Sequence, residues 1–168
     1  MGRYRAPPPK SSPYITPQGH QALTEELQSL WKRRAKVTRA LSAAAAEGDR
    51  SENAEYIYRK KELREIDRRI RYLQKRLPDL KVVKEIPSDT GTVFFGASVT
   101  LEDETGTRVC YRIVGADEFD PARGWISIDS PMAAALMKKS LDNEVRVTTP
   151  GGQVSFVIVD ISYRQPAG

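Results

Sequence analysis

The sequence predicts an α+β fold, in which a long antiparallel coiled-coil hairpin of two helices precedes a small antiparallel sheet with one short helix. Over the first half of the chain, apolar residues recur at alternating steps of four and three, which is typical of helices that pack along a seam. Beyond residue 80 the apolar period changes to two, which indicates half-buried strands. A chain of 168 residues is long enough for one ordinary domain and an extended appendage.

Residues 1–15 predict a disordered basic tail. They combine three basic residues with a run of three prolines, a composition that cannot bury a core. Ordered structure is expected to begin at Thr16, a good N-cap residue, because Pro17 is well suited to the first helical position. Residues 164–168 are expected to form a second, short tail.

The helical hairpin is predicted over residues 16–79. A short turn containing Gly48 joins its helices, so the second helix must fold back on the first. The second helix is expected to end near Pro78, because proline disfavours helix at the preceding residue and cannot donate to the ladder. The predicted seam consists of Leu23, Leu27, Leu30, Arg34, Val37, Leu41 and Ala44 on the first helix, and Tyr56, Arg59, Leu63, Ile66, Ile70, Leu73, Leu77 and Leu80 on the second.

The sheet is predicted over residues 80–163, where branched and aromatic residues alternate with polar ones between glycines. One short helix is expected within residues 130–139, since Ser130 can cap it and Pro131 suits its first position. The predicted strands are 82–84, 94–101, 107–114, 125–128, 144–148 and 153–161.

The charge pattern implies an anionic partner. The formal net charge is +5, and residues 59–76 hold nine basic side chains against three acidic ones. Such a run is either the solvated face of a coiled coil or a stripe that faces a phosphate backbone. Charge alone leaves both interpretations open. The side chains that could line one stripe are Lys60, Arg64, Arg71 and Lys75.

The cysteine and histidine content of the chain excludes internal disulfides and Cys/His metal sites. Cys110 is the only cysteine and His20 the only histidine, so no internal disulfide and no metal-spaced cluster of these types can form. The predicted sheet region contains no histidine that could pair with Cys110. Cys110 falls in an apolar strand pattern, which predicts a buried, inert thiol. No apolar run resembles a signal peptide or a membrane span, so we expect a cytoplasmic protein.

The turn between the helices carries two acidic residues, Asp49 and Glu52, three positions apart. If a helix begins there, its first turn brings the two carboxylates close together. Acids at a helix start also serve as caps or complement the macrodipole. Two carboxylates are too few for a Mg²⁺ site, because that ion prefers six oxygen ligands. They could complete a site whose other ligands belong to a partner.

The acidic turn, residues 48–56, reads Gly-Asp-Arg-Ser-Glu-Asn-Ala-Glu-Tyr and resembles the signature of the bacterial Gre transcript cleavage factors. The segments 58–73, 93–97, 112–118 and 126–133 are similar to the GreB type rather than the GreA type. The resemblance covers residues 16–163. One departure is Asp142-Asn143, where the family often has Gly-Asp.

The resemblance implies an FKBP-like C-terminal domain and a protein that binds RNA polymerase with its hairpin in the secondary channel. We also expect the protein to be a monomer. It implies that Asp49 and Glu52 help to hold a catalytic Mg²⁺ in the polymerase active centre, so that the chain is a catalytic cofactor for cleavage of backtracked RNA rather than an enzyme. It assigns support of the turn to Gly48, Ser51, Asn53 and Tyr56. It assigns binding of the nascent RNA 3′ segment to a basic stripe of six residues: Lys60, Lys61, Arg64, Arg68, Arg71 and Lys75. It assigns docking on the polymerase to Asp129, Ser130 and Pro131.

Two alternative functions, each of a different class, remain open from the sequence. One is a non-catalytic regulator that enters the secondary channel with the same architecture, which both acids argue against. The other is a coiled-coil nucleic-acid-binding protein unrelated to polymerase, which leaves the Ser130-Pro131 segment unexplained.

Overall fold

Three α-helices and seven β-strands make up the described part of the computed structural model, which comprises residues 10–47 and 53–163. The chain divides into two units: the hairpin unit, His20–Leu80, and the sheet unit, Met1–Gly19 with Lys81–Gly168. The elements are β1 (Tyr14–Ile15), α1 (Pro17–Ala46), α2 (Ala54–Arg76), β2 (Lys81–Val82), β3 (Ser98–Asp103), β4 (Arg108–Val114), β5 (Trp125–Ser127), α3 (Pro131–Leu136), β6 (Glu144–Thr149) and β7 (Gly152–Ser162). The predicted α+β fold class is confirmed.

Helices α1 and α2 form the predicted antiparallel hairpin. Ala44, near the end of α1, is hydrogen-bonded to Asn53, just before α2. Arg33, in the middle of α1, is bonded to Glu62, and Glu26, near the start of α1, is bonded to Arg69 in the second half of α2. The helices therefore run in opposite directions. The seam between the helices buries Val37, Ile66 and Ile70, with Leu27, Leu30 and Leu63 packed against them. Among the described residues, no helix is long and apolar enough to cross a membrane.

The helix boundaries follow their local chemistry. Helix α1 begins at Pro17, and the hydroxyl of Thr16 accepts a hydrogen bond from the backbone N–H of Gly19 at 3.1 Å, as an N-cap does. Helix α2 ends at Arg76, and a 3₁₀ turn, Leu77–Asp79, follows it. Proline at position 78 therefore stops the α-helix where the sequence predicts.

The main sheet of the sheet unit has five strands in the order β5-β4-β3-β7-β6. Three pairings are antiparallel, as predicted, but β4 and β5 are parallel. The connection 115–124 is long enough to carry the chain back along β4 before β5 begins, whereas a tight hairpin turn would have forced the antiparallel direction. The core of this unit buries Val93, Ala97, Val99, Leu101, Ile113, Ala133, Leu136, Val145, Val147 and Ile158.

The predicted boundary of the N-terminal tail is wrong. Within the tail predicted over 1–15, Tyr14–Ile15 form strand β1, which pairs in parallel with β2, and Ile15 is fully buried. Backbone hydrogen bonds from Lys81 N–H to Pro13 and from Val83 N–H to Ile15 hold the segment. A single apolar residue beside a proline-rich run gave no periodic signal, and its strand partner lies more than sixty positions away. Residues 1–9 and 164–168 lie outside the described residues.

The predicted burial of Cys110 is also wrong, because its thiol is free and exposed. Successive side chains of a strand point to opposite faces, and both neighbours of Cys110 in β4, Val109 and Tyr111, pack against the core. Cys110 therefore lies on the outer face of β4.

The turn before β6 keeps a left-handed geometry without glycine. Asp142 has φ +67°, in the region that favours glycine and tolerates Asp and Asn. The side-chain oxygen of Asn143 accepts the backbone N–H of Ser140 at 2.7 Å and closes the turn. Asp142 thus adopts the conformation that a glycine would favour.

Candidate functional site

Asn53 fastens the two helices together at the end of the hairpin. Its side chain donates to the carbonyl oxygen of Ala44 at 2.8 Å and accepts the backbone N–H of Tyr56 at 3.1 Å. The first bond ties α2 to the last turn of α1, and the second caps α2. The other predicted residues of the acidic turn, Gly48, Asp49, Ser51 and Glu52, lie outside the described residues.

Tyr56, the other predicted support of the turn, lies half-buried in the first turn of α2. The ammonium group of Lys60 is 5.8 Å from the centroid of its ring, within the range of a cation–π contact. The structure thus brings one predicted support residue against one residue of the predicted basic stripe.

One set of basic side chains on the hairpin is engaged in ion pairs. Arg33 and Arg59 both bond to Glu62, at 2.9 and 3.0 Å, and Arg69 bonds to Glu26 at 2.9 Å. The carboxylate of Glu62 is only 12% exposed. The hydrogen bond from Arg33 lowers the pKa of Glu62, and Arg59 adds to this effect against the cost of burial. These arginines join the helices or brace α2.

A second set of basic side chains has no such partner. All six residues of the predicted RNA stripe are exposed, and none forms an ion pair with any residue in 10–47 or 53–163. An unpaired cation can bind an anion without first releasing a carboxylate. The hairpin therefore separates its structural cations from cations that remain available: Lys60, Lys61, Arg64, Arg68, Arg71 and Lys75.

Part of this stripe lines a groove of about 520 Å³ on the hairpin. The first helix contributes Trp31 and Arg34 to its wall, two residues that the sequence did not single out as functional. Trp31 precedes Arg34 by three positions, a spacing that places both on one helix face and could have identified them. The remaining lining residues come from α2: Arg64, Asp67, Arg68, Ile70, Arg71 and Gln74.

The predicted docking residues lie at the start of α3 in the sheet unit. The hydroxyl of Ser130 accepts the backbone N–H of Ala133 at 3.2 Å and caps α3, and Pro131 is its first residue. The exposed carboxylate of Asp129 accepts the backbone N–H of Ser12 at 2.9 Å. Ser130 thus has a structural role of its own, and Asp129 is already in contact with the N-terminal segment.

The described residues contain no group of three or more His, Cys, Asp or Glu side chains that could hold a metal ion. Asp49 and Glu52 lie outside the described residues, and their carboxylate oxygens are ligands of the kind that Mg²⁺ prefers. The donor chemistry of these two residues therefore fits Mg²⁺, but their number requires further ligands from another molecule.

The chain matches two family models, "Transcription elongation factor, N-terminal" over residues 13–82 and "Transcription elongation factor, GreA/GreB, C-term" over residues 88–163. It is 59% identical to transcription elongation factor GreB of Xanthomonas axonopodis pv. citri, over 97% of this chain and 98% of that protein. It is 58% identical to transcription elongation factor GreB of Pseudomonas aeruginosa, with the same coverage. The solved structure of the GreA factor homolog 1 (Gfh1) protein of Thermus thermophilus is 25% identical, covers 89% of this chain and 97% of that one, and has a TM-score of 0.41. The chain therefore belongs to the GreA/GreB family of transcription elongation factors and is of the GreB type.

Proposed function

We propose that this chain binds RNA polymerase through the secondary channel and stimulates endonucleolytic cleavage of the 3′ end of backtracked RNA, which rescues arrested complexes. The observation that carries the proposal is the 59% identity to a GreB elongation factor over nearly the whole chain. The proposed role is that of a catalytic cofactor, because Asp49 and Glu52 offer only two of the six oxygen ligands that Mg²⁺ prefers and the polymerase would supply the others.

Asp49 and Glu52 are the proposed catalytic residues. When bound, Mg²⁺ would supply Lewis-acid stabilisation of the charge that develops as a phosphodiester is hydrolysed. The two carboxylates would supply oxygen ligands to that ion and accept hydrogen bonds from the attacking water, and the polymerase would supply the remaining ligands. Asn53 supports this role because its bonds to Ala44 and Tyr56 join the last turn of α1 to the first turn of α2, and both acids lie between these helices in the sequence.

The basic stripe is proposed to hold the RNA 3′ segment. Its six side chains are exposed and unpaired within the described part of the chain, so each can approach a phosphate without breaking an ion pair. Phosphate contacts of this kind hold the backbone without reading its sequence. The stripe therefore suits RNA of any sequence.

The test adds the chain to a stalled, backtracked elongation complex and measures release of the RNA 3′ fragment. We expect cleavage with the unmodified chain, and a sharp loss with Asp49→Asn and with Glu52→Gln. Each amide is nearly isosteric with its acid, but it is a weaker ligand for Mg²⁺. Raised Mg²⁺ should therefore partly restore the rate.

Competition with the unmodified chain reports polymerase binding separately. Both variants should compete normally, because a lost cap or dipole interaction costs only about 1 kcal/mol. Binding without stimulated cleavage by the unmodified chain would identify a non-catalytic regulator. Nucleic-acid binding without polymerase binding would contradict the proposal.

A further inference from the structure

We infer that Trp31 is a stacking face for a nucleobase of single-stranded RNA held in the groove between α1 and α2. This inference rests on the proposed RNA role of the basic stripe and adds a contact from the opposite helix. It assigns a function to a residue that neither the periodicity nor the charge pattern identifies.

The ring of Trp31 is large, apolar and accessible. Trp31 is 46% exposed, whereas the apolar seam residues beside it are packed between the helices. The guanidinium carbon of Arg34 lies 6.0 Å from the ring centroid, and Asp67 holds that guanidinium at 2.6 Å. Arg34 therefore braces one face of the ring, and a large part of the indole surface remains available.

The charge of the groove suits a polyanion. Four of the lining residues are arginines, and the single lining acid, Asp67, is already bonded to Arg34. Arg64, Arg68 and Arg71 have no ion pair within residues 10–47 and 53–163, and they follow one another along α2. Seven residues of helix separate the first from the last, or about 10 Å. Phosphate groups along a strand can therefore meet more than one of them.

The size of the groove also fits. Its volume of about 520 Å³ lies within the range of roughly 300–1,000 Å³ that is typical of small-molecule binding clefts. A single-stranded nucleic acid offers phosphates to the arginines and a flat aromatic base to the indole. Basic grooves with exposed aromatic residues bind single strands in this way without regard to sequence. An acidic peptide would satisfy the arginines but gives the indole no matching face.

The test measures binding of the full chain to a short single-stranded oligoribonucleotide and to an abasic oligomer of equal length and charge, at low salt. Trp125→Phe provides the background, since Trp31 is then the only tryptophan of the chain. We expect the base-bearing strand to quench Trp31 fluorescence. Trp31→Leu should bind that strand roughly tenfold more weakly and bind the abasic oligomer unchanged.

Two variants serve as controls. Tyr72 is a matched aromatic, because it is 43% exposed on α2, lies 5.2 Å from the guanidinium of Arg69 and does not line the groove. Tyr72→Leu should leave both affinities unchanged. Trp31→Tyr retains a stacking face and should restore most of the binding that Trp31→Leu loses. Unchanged far-UV circular dichroism of each variant establishes that the hairpin is folded.

The outcomes separate this inference from the proposed function. If the double variant Arg64→Ala with Arg68→Ala weakens oligoribonucleotide binding while Trp31→Leu does not, the stacking inference is wrong, and the proposed role of the basic stripe in RNA binding is retained. Equal losses on both oligomers would make Trp31 a structural residue and overturn stacking. If Trp31→Leu lost polymerase binding but bound both oligomers normally, Trp31 would contact protein rather than a nucleobase, and the stacking inference would be overturned. If no arginine of the groove affects binding, both proposals fail.

Discussion

The carboxylate of Glu118 accepts a hydrogen bond from the backbone N–H of Thr16 at 3.1 Å, across 102 positions of sequence. It also accepts the hydroxyl of Thr16 and the backbone N–H of Gly115, the latter at 2.8 Å. Glu118 is only 8% exposed, and a buried carboxylate needs several donors to offset its desolvation. Thr16 in turn caps α1. Glu118 therefore anchors the first turn of α1 to the segment that follows β4.

Gly19→Ala should destabilise the protein, although alanine normally stabilises a helix over glycine by about 1 kcal/mol. A Cβ at position 19 would overlap Oε1 of Glu118. That carboxylate is held by three donors, so it cannot move away without loss of hydrogen bonds. We expect a loss of roughly 1–3 kcal/mol in the free energy of unfolding, measured in urea.

Gly151→Ala is the matched control for this change. A Cβ there would meet only the hydroxyl of Thr149, at 3.8 Å, so the free energy of unfolding should change by less than about 0.5 kcal/mol. If Gly19→Ala proved as stable as the unmodified chain, the Glu118 anchor would be looser than its geometry indicates.

Glu62→Gln should remove a pH-dependent contribution to the stability of the hairpin. The pKa of Glu62 is lowered by its hydrogen bond to Arg33 and further by Arg59. Because the pKa is lower in the folded state, the ionised carboxylate stabilises that state at pH values above 4.5, its ordinary pKa. This contribution is lost as the pH falls through the lowered pKa of the folded state. We expect the variant to be about 1 kcal/mol less stable at pH 7, with the difference vanishing in acid.

Urea unfolding followed by far-UV circular dichroism measures this difference across the acid range. Glu65→Gln is the control at pH 7, because Glu65 is exposed on the same helix and forms no ion pair with a described residue. It should change stability by less than about 0.5 kcal/mol. A pH-independent difference for Glu62→Gln would indicate a packing effect rather than the charge of the carboxylate.

Replacing Lys60, Arg64 and Lys75 by alanine should weaken binding to single-stranded RNA and flatten its salt dependence. Each phosphate contact to a single strand contributes about 0.7 to the slope of log affinity against log salt, so three lost contacts reduce the slope by about 2. The defect is therefore expected to be largest at low salt. Titrations at several salt concentrations measure it.

The control removes the same charge from cations that are already paired. Arg108, Arg123 and Arg146 lie in the sheet unit beside Glu102, Asp120 and Glu144. Their triple replacement by alanine should leave the slope unchanged. An equal change of slope in both triple variants would mean that net charge, rather than the stripe, determines RNA binding.

Periodicity was sufficient to predict the hairpin because its seam is made of local repeats. The heptad steps through Val37, Ile66 and Ile70 correspond to buried residues, and Pro78 correctly marked the end of α2. These signals lie within a few turns of the elements that they specify. The same locality explains why the N-cap residues Thr16 and Ser130 were predictable.

Features that depend on distant partners were not predictable in this way. Strand β1 exists because Ile15 meets Val82, and the Glu118 anchor exists because Thr16 lies beside it. The ion pairs of Arg33, Arg34 and Arg69 likewise depend on the distance to a carboxylate of the other helix. Charge alone could not distinguish Arg69, bonded to Glu26, from its neighbour Arg68 in the stripe.

Asp129 and Ser130 allow the proposed docking role to be separated from local stability. Ser130→Ala removes the hydroxyl that caps α3 and should cost about 1 kcal/mol in stability, which Ser130→Asp should largely restore because aspartate is an equally good N-cap. Asp129→Asn keeps an oxygen that can accept the backbone N–H of Ser12 and removes only the charge. It should therefore leave unfolding unchanged while it lowers affinity for the polymerase, measured by competition with the unmodified chain. If Asp129→Asn competes normally, or if Ser130→Asp restores stability and binding together, this segment contributes to folding of the sheet unit and its assignment as a docking site is withdrawn.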